Sequence, residues 1–96
     1  MASNFRILMH NSSESLHLKL VGDFDVASAQ QLIDIIIRHR FRVNKIFIHT
    51  SCLDSIHPFG ANELRNNLKS SISSHVNLVF TGEKADAIAY DKPIVL

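Results

Sequence analysis

His49, Cys52 and His57 form an H-x2-C-x4-H string, and imidazole with thiolate is a ligand set that zinc accepts. A structural zinc site needs four ligands at characteristic spacing. Cys52 is the only cysteine in the chain, and no other His or Asp completes a four-ligand set at a characteristic spacing. The string therefore predicts no metal. The same segment holds the side chains of a nucleophile and its base: Ser51, Cys52, Asp54, Ser55 and His57. Catalytic triads are recognised by geometry and are usually assembled from distant segments. No nucleophile elbow surrounds any of these residues. A hydrolase or metal enzyme using Cys52, His49 and His57 thus ranks below a binding role, and neither catalysis nor a cofactor is expected. No glycine-rich loop matches a nucleotide fingerprint. Arg38, His39, Arg40, Arg42 and Lys45 make a basic cluster, which reads first as a solvated helix end.

The elements that must position these residues follow from periodicity. Residues 5–10 alternate, with Phe5, Ile7 and Met9 on one face, and residues 16–21 alternate with Leu16, Leu18 and Leu20. The five polar residues between them predict a β-hairpin. Gly22, Asp23, Phe24 and Asp25 break the pattern. Asp25 or Ser28 can then N-cap a helix over residues 26–40, and Ser28 with Gln31 fits a capping box. Ala29, Leu32, Ile33, Ile36 and Ile37 form its apolar stripe. Residues 45–50 read as a central strand, followed by a loop. Pro58 opens a second helix to about Ser71, carried by Leu64, Leu68 and Ile72. A strand over 76–80 closes at Gly82. A short helix over 84–90 stops before Pro93, and residues 94–96 can add a last strand. Strands alternating with helices imply parallel pairing and right-handed crossovers. The expectation is an α/β fold: a mixed sheet of four to five strands with helices mainly on one face.

The chain has 96 residues, which suits one domain over residues 1–96. Hydrophobic residues make up 46% and charged residues 20%, an ordinary globular balance that excludes disorder and coiled coil. A net charge of +1 gives no footprint for nucleic acid. No apolar run approaches the ~20 residues a membrane helix needs. With no visible leader and a single cysteine, the expected location is the cytoplasm.

Four motifs in order resemble the STAS domain (sulfate transporter and anti-sigma factor antagonist). Residues 16–25, LHLKLVGDFD, resemble its L-x-L-x-G-E-L-D opening, with Asp23 in place of Glu. Residues 26–37 match its first helix. Residues 45–64, KIFIHTSCLDSIHPFGANEL, resemble its second hallmark, and residues 76–82, VNLVFTG, resemble the strand that follows. Nearly the whole chain is covered. Aligned without gaps, the hallmark sets Ser51, Leu53, Ile56 and Gly60 on family positions. His57 then falls on the family aspartate, and Pro58 falls on the serine that sporulation-type members phosphorylate. A proline at the first helical position, with His57 held out of helix before it, fits that register.

The resemblance implies a non-enzymatic bacterial interaction module without the usual phosphorylation switch, since Pro58 has no hydroxyl. Ser55 reads first as an ordinary loop serine and only second as a substitute acceptor, and His57 can serve as a helix cap or a pH-dependent charge. A protein partner resembling an anti-sigma factor or kinase would meet Ser55, His57, Pro58, Phe59 and Asn62, with Phe59 as the apolar anchor. The alternative is a small cytoplasmic subunit of a lipid-type ABC transporter. The closing helix of many members is shortened here, which would leave a surface for a partner or for a homodimer.

Overall fold

The computed structural model describes residues 4–70, 77–88 and 94–95. The elements are β1 (Arg6–Ser12), β2 (Ser15–Phe24), α1 (Val26–His39), β3 (Lys45–Ile56), α2 (Pro58–Ser70), β4 (Asn77–Thr81), α3 (Ala85–Ile88) and β5 (Ile94–Val95). The strands lie side by side in chain order, β1-β2-β3-β4-β5. β1 and β2 are antiparallel, and every later pair is parallel. This is the mixed sheet the alternating pattern predicts. Ser71, Ile72, Val76, Tyr90, Pro93 and Leu96, used in that reading, lie outside the described residues.

The hairpin turn is tighter than its polar composition suggests. Asn11 and Ser12 continue β1, opposite Leu16 and Ser15, so the turn is only Ser13 and Glu14, with Ser13 at φ 28°. Polar residues extend these strands freely because their side chains there face water. Phe5 is buried and Ile7 half-buried, but Met9 is exposed. The expected apolar face of β1 thus fades along the strand, which stands at the sheet edge.

α1 starts at Asp25, not Ser28. The Asp25 carboxylate accepts from the Ser28 backbone N–H at 2.9 Å, and the Ser28 hydroxyl donates back to it at 2.9 Å. Such a cap is worth about 1 kcal/mol. Arg38 and His39 in the last turn complement the helix dipole, and Arg38 also pairs with Asp34 at 2.8 Å.

β3 runs on to Ile56, where the sequence suggested a loop after residue 50. Two register shifts hide the strand. Between Lys19 and Val21 of β2, β3 advances from His49 to Cys52, and between Gly22 and Asp23 it advances from Leu53 to Ser55. Each shift inserts one extra residue into β3 and reverses which side chain faces inward. The inward set therefore reads Ile46, Ile48, Thr50 and then Leu53. Thr50 is buried and satisfied, its hydroxyl donating to the Thr81 carbonyl at 2.7 Å.

Leu16, Leu18 and Leu20 of β2, Ile46 and Ile48 of β3, and Leu78 and Phe80 of β4 form the covered face of the sheet. Ala29, Leu32, Ile33 and Ile36 of α1, Leu64 and Leu68 of α2, and Ala85 and Ile88 of α3 close over them in one core. Each fully buried Leu or Ile contributes about 1.5–3 kcal/mol of transfer free energy.

Candidate functional site

Five of the residues singled out from the sequence lie at one end of the molecule, where β3 ends and α2 begins. Only His57 separates the two elements. Its backbone N–H donates to the Phe24 carbonyl at 2.8 Å, which ties the start of α2 to the end of β2. Its own carbonyl accepts from Ala61 at 3.1 Å, the first bond of the helix. The ring Nδ1 of His57 accepts from the Phe59 backbone N–H at 3.2 Å. His57 is thus the N-cap of α2, and Pro58 occupies the first helical position, where its missing N–H leaves no bond unmade.

Gly60 fixes how α2 sits against α1. A Cβ built on it would lie 2.6 Å from the Asp25 carbonyl carbon and 2.7 Å from its oxygen. The two helix starts therefore meet backbone to backbone, Asp25 capping one and His57 the other. Around this junction Ser55, His57, Pro58, Phe59 and Asn62 are all exposed. Phe59 is 68% exposed, and Val26 in the first turn of α1 is exposed as well. The Phe59 ring lies 5.2 Å from that of His57, tilted by 45°. Below them the Ser55 hydroxyl donates to the Asp23 carboxylate at 2.6 Å. Asp23 also receives local support, its backbone N–H reaching the Asn4 side chain at 3.3 Å. The junction presents an exposed aromatic ring on a capped helix start, beside one imidazole and a Ser–Asp pair.

The H-x2-C-x4-H string does not come together. His49 lies on the uncovered face of the sheet, bonded to His17 at 3.0 Å and Thr81 at 2.6 Å, while His57 is committed to the α2 cap. Cys52 is free and half-buried. Among the described residues no three His, Cys, Asp or Glu side chains are grouped to hold a metal ion. The basic cluster falls at the far end of α1, about 20 Å along the helix from Asp25, where the Arg40 guanidinium lies 4.8 Å over the ring of Phe41.

The uncovered face carries a feature that linear spacing did not reveal. His17 of β2 and Phe47 of β3 stack with centroids 4.6 Å apart, and His17 and His49 stack at 5.3 Å. His10 of β1 adds a tilted ring 6.2 Å from His17. Alternation placed His17 on the face opposite the leucines of β2, but only the cross-strand register shows that it meets Phe47 and His49. The facing nitrogens of His17 and His49 can bond only while one of them is unprotonated. Burial holds His49 below its ordinary value of 6.5, and the charges of His17 and Lys19 push the same way. The unfolded chain thus takes up this proton more readily than the folded one. Stability from the neutral ring is complete above 6.5 and is lost as pH falls through the lower, folded value. Urea unfolding at about pH 8 and about pH 5 should show the wild type losing stability on acidification, and His49→Gln losing less.

The mixed sheet in sequential order, with helices closing one face and a helix start immediately after a bulged central strand, is an α/β fold of the SpoIIAA-like kind. The anti-sigma factor antagonist SpoIIAA, solved in its unphosphorylated form, superposes with a TM-score of 0.69 at 12% identity, over 95% of this chain and 87% of that one. An uncharacterized DUF3478 protein with a SpoIIAA-like fold from Shewanella loihica PV-4 gives 0.58 at 20% identity, over 86% and 72%. The structure described as Mglu gives 0.64 at 13% identity over 90% of this chain, which spans only 19% of that one. No family model matches the sequence, and no curated protein matches it.

Proposed function

We propose that this chain is a cytoplasmic, non-enzymatic regulatory module that docks a protein partner at the junction of the α1 and α2 starts. The partner is of the anti-sigma factor or kinase-like kind. The observation that carries the reading is Phe59: a large aromatic ring, 68% exposed, on the first turn of a helix whose cap and backbone position are both fixed. Exposed aromatic residues on preorganised elements are typical interface anchors. His57, Pro58, Asn62 and Ser55 form the surrounding polar and small-residue rim.

The module works without a phosphate at the α2 start, because Pro58 offers no hydroxyl. Ser55 is a poor replacement. Its hydroxyl already donates to Asp23, so a phosphate there would set about two negative charges against that carboxylate. Among the described residues no helix is long and apolar enough to cross a membrane, which accords with a domain that acts beside its partner.

The test is capture of partners by the immobilised full chain, compared with Phe59→Ser and with Ile37→Ser, an exposed position elsewhere on α1. A genuine partner should bind Phe59→Ser at least about tenfold more weakly and Ile37→Ser unchanged. Thermal unfolding of Phe59→Ser should move little, since surface changes of this kind stay within about 0.5 kcal/mol. Binding that ignores Phe59 would remove the reading.

A further inference from the structure

The strand β1 ends the sheet on one side, with β2 as its sole neighbour among the described residues. Half of its backbone N–H and C=O groups therefore point away from the sheet, ready to pair with another strand. Edge strands are commonly blocked by bulges, prolines, charges or brevity. β1 has none of these blocks over most of its length. It is seven residues long, and its register with β2 is unbroken from Arg6↔Val21 to Ser12↔Ser15. It has no proline, and Arg6 is its only Asp, Glu, Lys or Arg residue. Among the described residues the opposite edge, β5, has two residues.

The side chains of β1 point to the same conclusion. Leu8 is 49% exposed and Met9 is 55% exposed. Directly paired residues share a face. Met9, opposite buried Leu18, lies on the helix side, and Leu8, opposite Lys19, lies on the uncovered side. The strand thus presents apolar surface on both faces next to open backbone.

We propose that this edge pairs antiparallel with the β1 edge of a second copy, joining the two sheets into one. The sequence Arg-Ile-Leu-Met-His-Asn-Ser is compatible with itself about a twofold axis at Met9. Arg6 then lies opposite Ser12, Ile7 opposite Asn11 and Leu8 opposite His10. All seven residues are used, and each pair keeps to one face. The two Arg6 side chains stand roughly 20 Å apart along the strands, one on each side of the axis, whereas parallel pairing would set them together. The pairing is strand addition of the kind that sheet edges support, with main-chain bonds giving affinity. It leaves the helix-start surface free.

The test uses the purified full chain. Sedimentation equilibrium should give twice the chain mass. Leu8→Lys with Met9→Lys should weaken self-association at least about tenfold, with the far-ultraviolet circular dichroism unchanged. In a Cys52→Ser background, mild oxidation of Met9→Cys should give a disulfide-linked dimer, and Arg6→Cys should not. A chain that stays monomeric to ~1 mM would overturn the proposal, whether the edge is left bare or is taken by another protein's strand. So would a dimer that tolerates both lysines, or equal cross-linking from Arg6→Cys.

Discussion

Phe24→Ala should cost about 3–5 kcal/mol, a large share of the 5–15 kcal/mol that holds a domain of this size together. Phe24 is fully buried, and its ring meets Phe5 edge-on with centroids 5.8 Å apart at 74°. Truncation removes that pair and leaves a cavity beneath the candidate site. The effect reaches the site because the Phe24 carbonyl accepts from His57 and so anchors the start of α2. Chemical denaturation should show a midpoint far below wild type. If the midpoint moved by less than about a fifth of the wild-type value, the packing of Phe24 against Phe5 would be wrong.

Gly60→Ala is the second large effect, and it comes from a single added methyl. At 2.6 Å from the Asp25 carbonyl carbon there is no flexible side chain to give way, only backbone. The α1 and α2 starts must separate, which disturbs both the Asp25 and the His57 caps. Overpacking of this kind costs roughly 1–3 kcal/mol, and the lost cap geometry adds to it. The same variant should bind a Phe59-dependent partner more weakly even at temperatures where it remains folded, because Phe59 is then misplaced. Wild-type stability together with wild-type binding would show that the helix starts do not meet as described.

The hairpin and the two long helices were legible because their signals are local. Alternation over residues 16–21, the stripe from Ala29 to Ile36 and the proline at residue 58 each act within one element, whereas Ile37, expected in that stripe, is exposed. The start of α2 at Pro58 was legible for the same reason. β3 beyond Thr50 was not, because two inserted residues shift the phase and erase the alternation that marks a strand. What looked like a reactive loop from Ser51 to His57 is mostly strand. The histidine ladder was hidden for a different cause. His17, Phe47 and His49 come from two strands, and only the register His17↔Phe47 brings the rings together. Within the candidate site, residue types suggested the surface, but the exposure of Phe59 and the cap on Nδ1 of His57 are outcomes of packing. Asp25 was favoured over Ser28 by the same three-dimensional bookkeeping, since the Ser28 hydroxyl is already spent on Asp25 and on the Asp23 carbonyl at 3.2 Å.

The sequential strand order has a consequence for how the molecule is made. Each strand pairs with the one before it in the chain, so no strand must wait for a later segment to be inserted between it and its neighbour. Only the β1–β2 hairpin closes locally; the parallel pairs join distant residues, as Ser15 with Lys45 and Lys45 with Asn77, and such pairing is intrinsically slow. The β1–β2 hairpin pairs residues 6–12 with 15–21 and needs no later segment to form. Each crossover then lays its helix over the core and delivers the next strand to an edge already formed. The sheet can grow in the direction of synthesis, always presenting one unfinished edge, while the β1 edge stays exposed from the first moments of folding to the last.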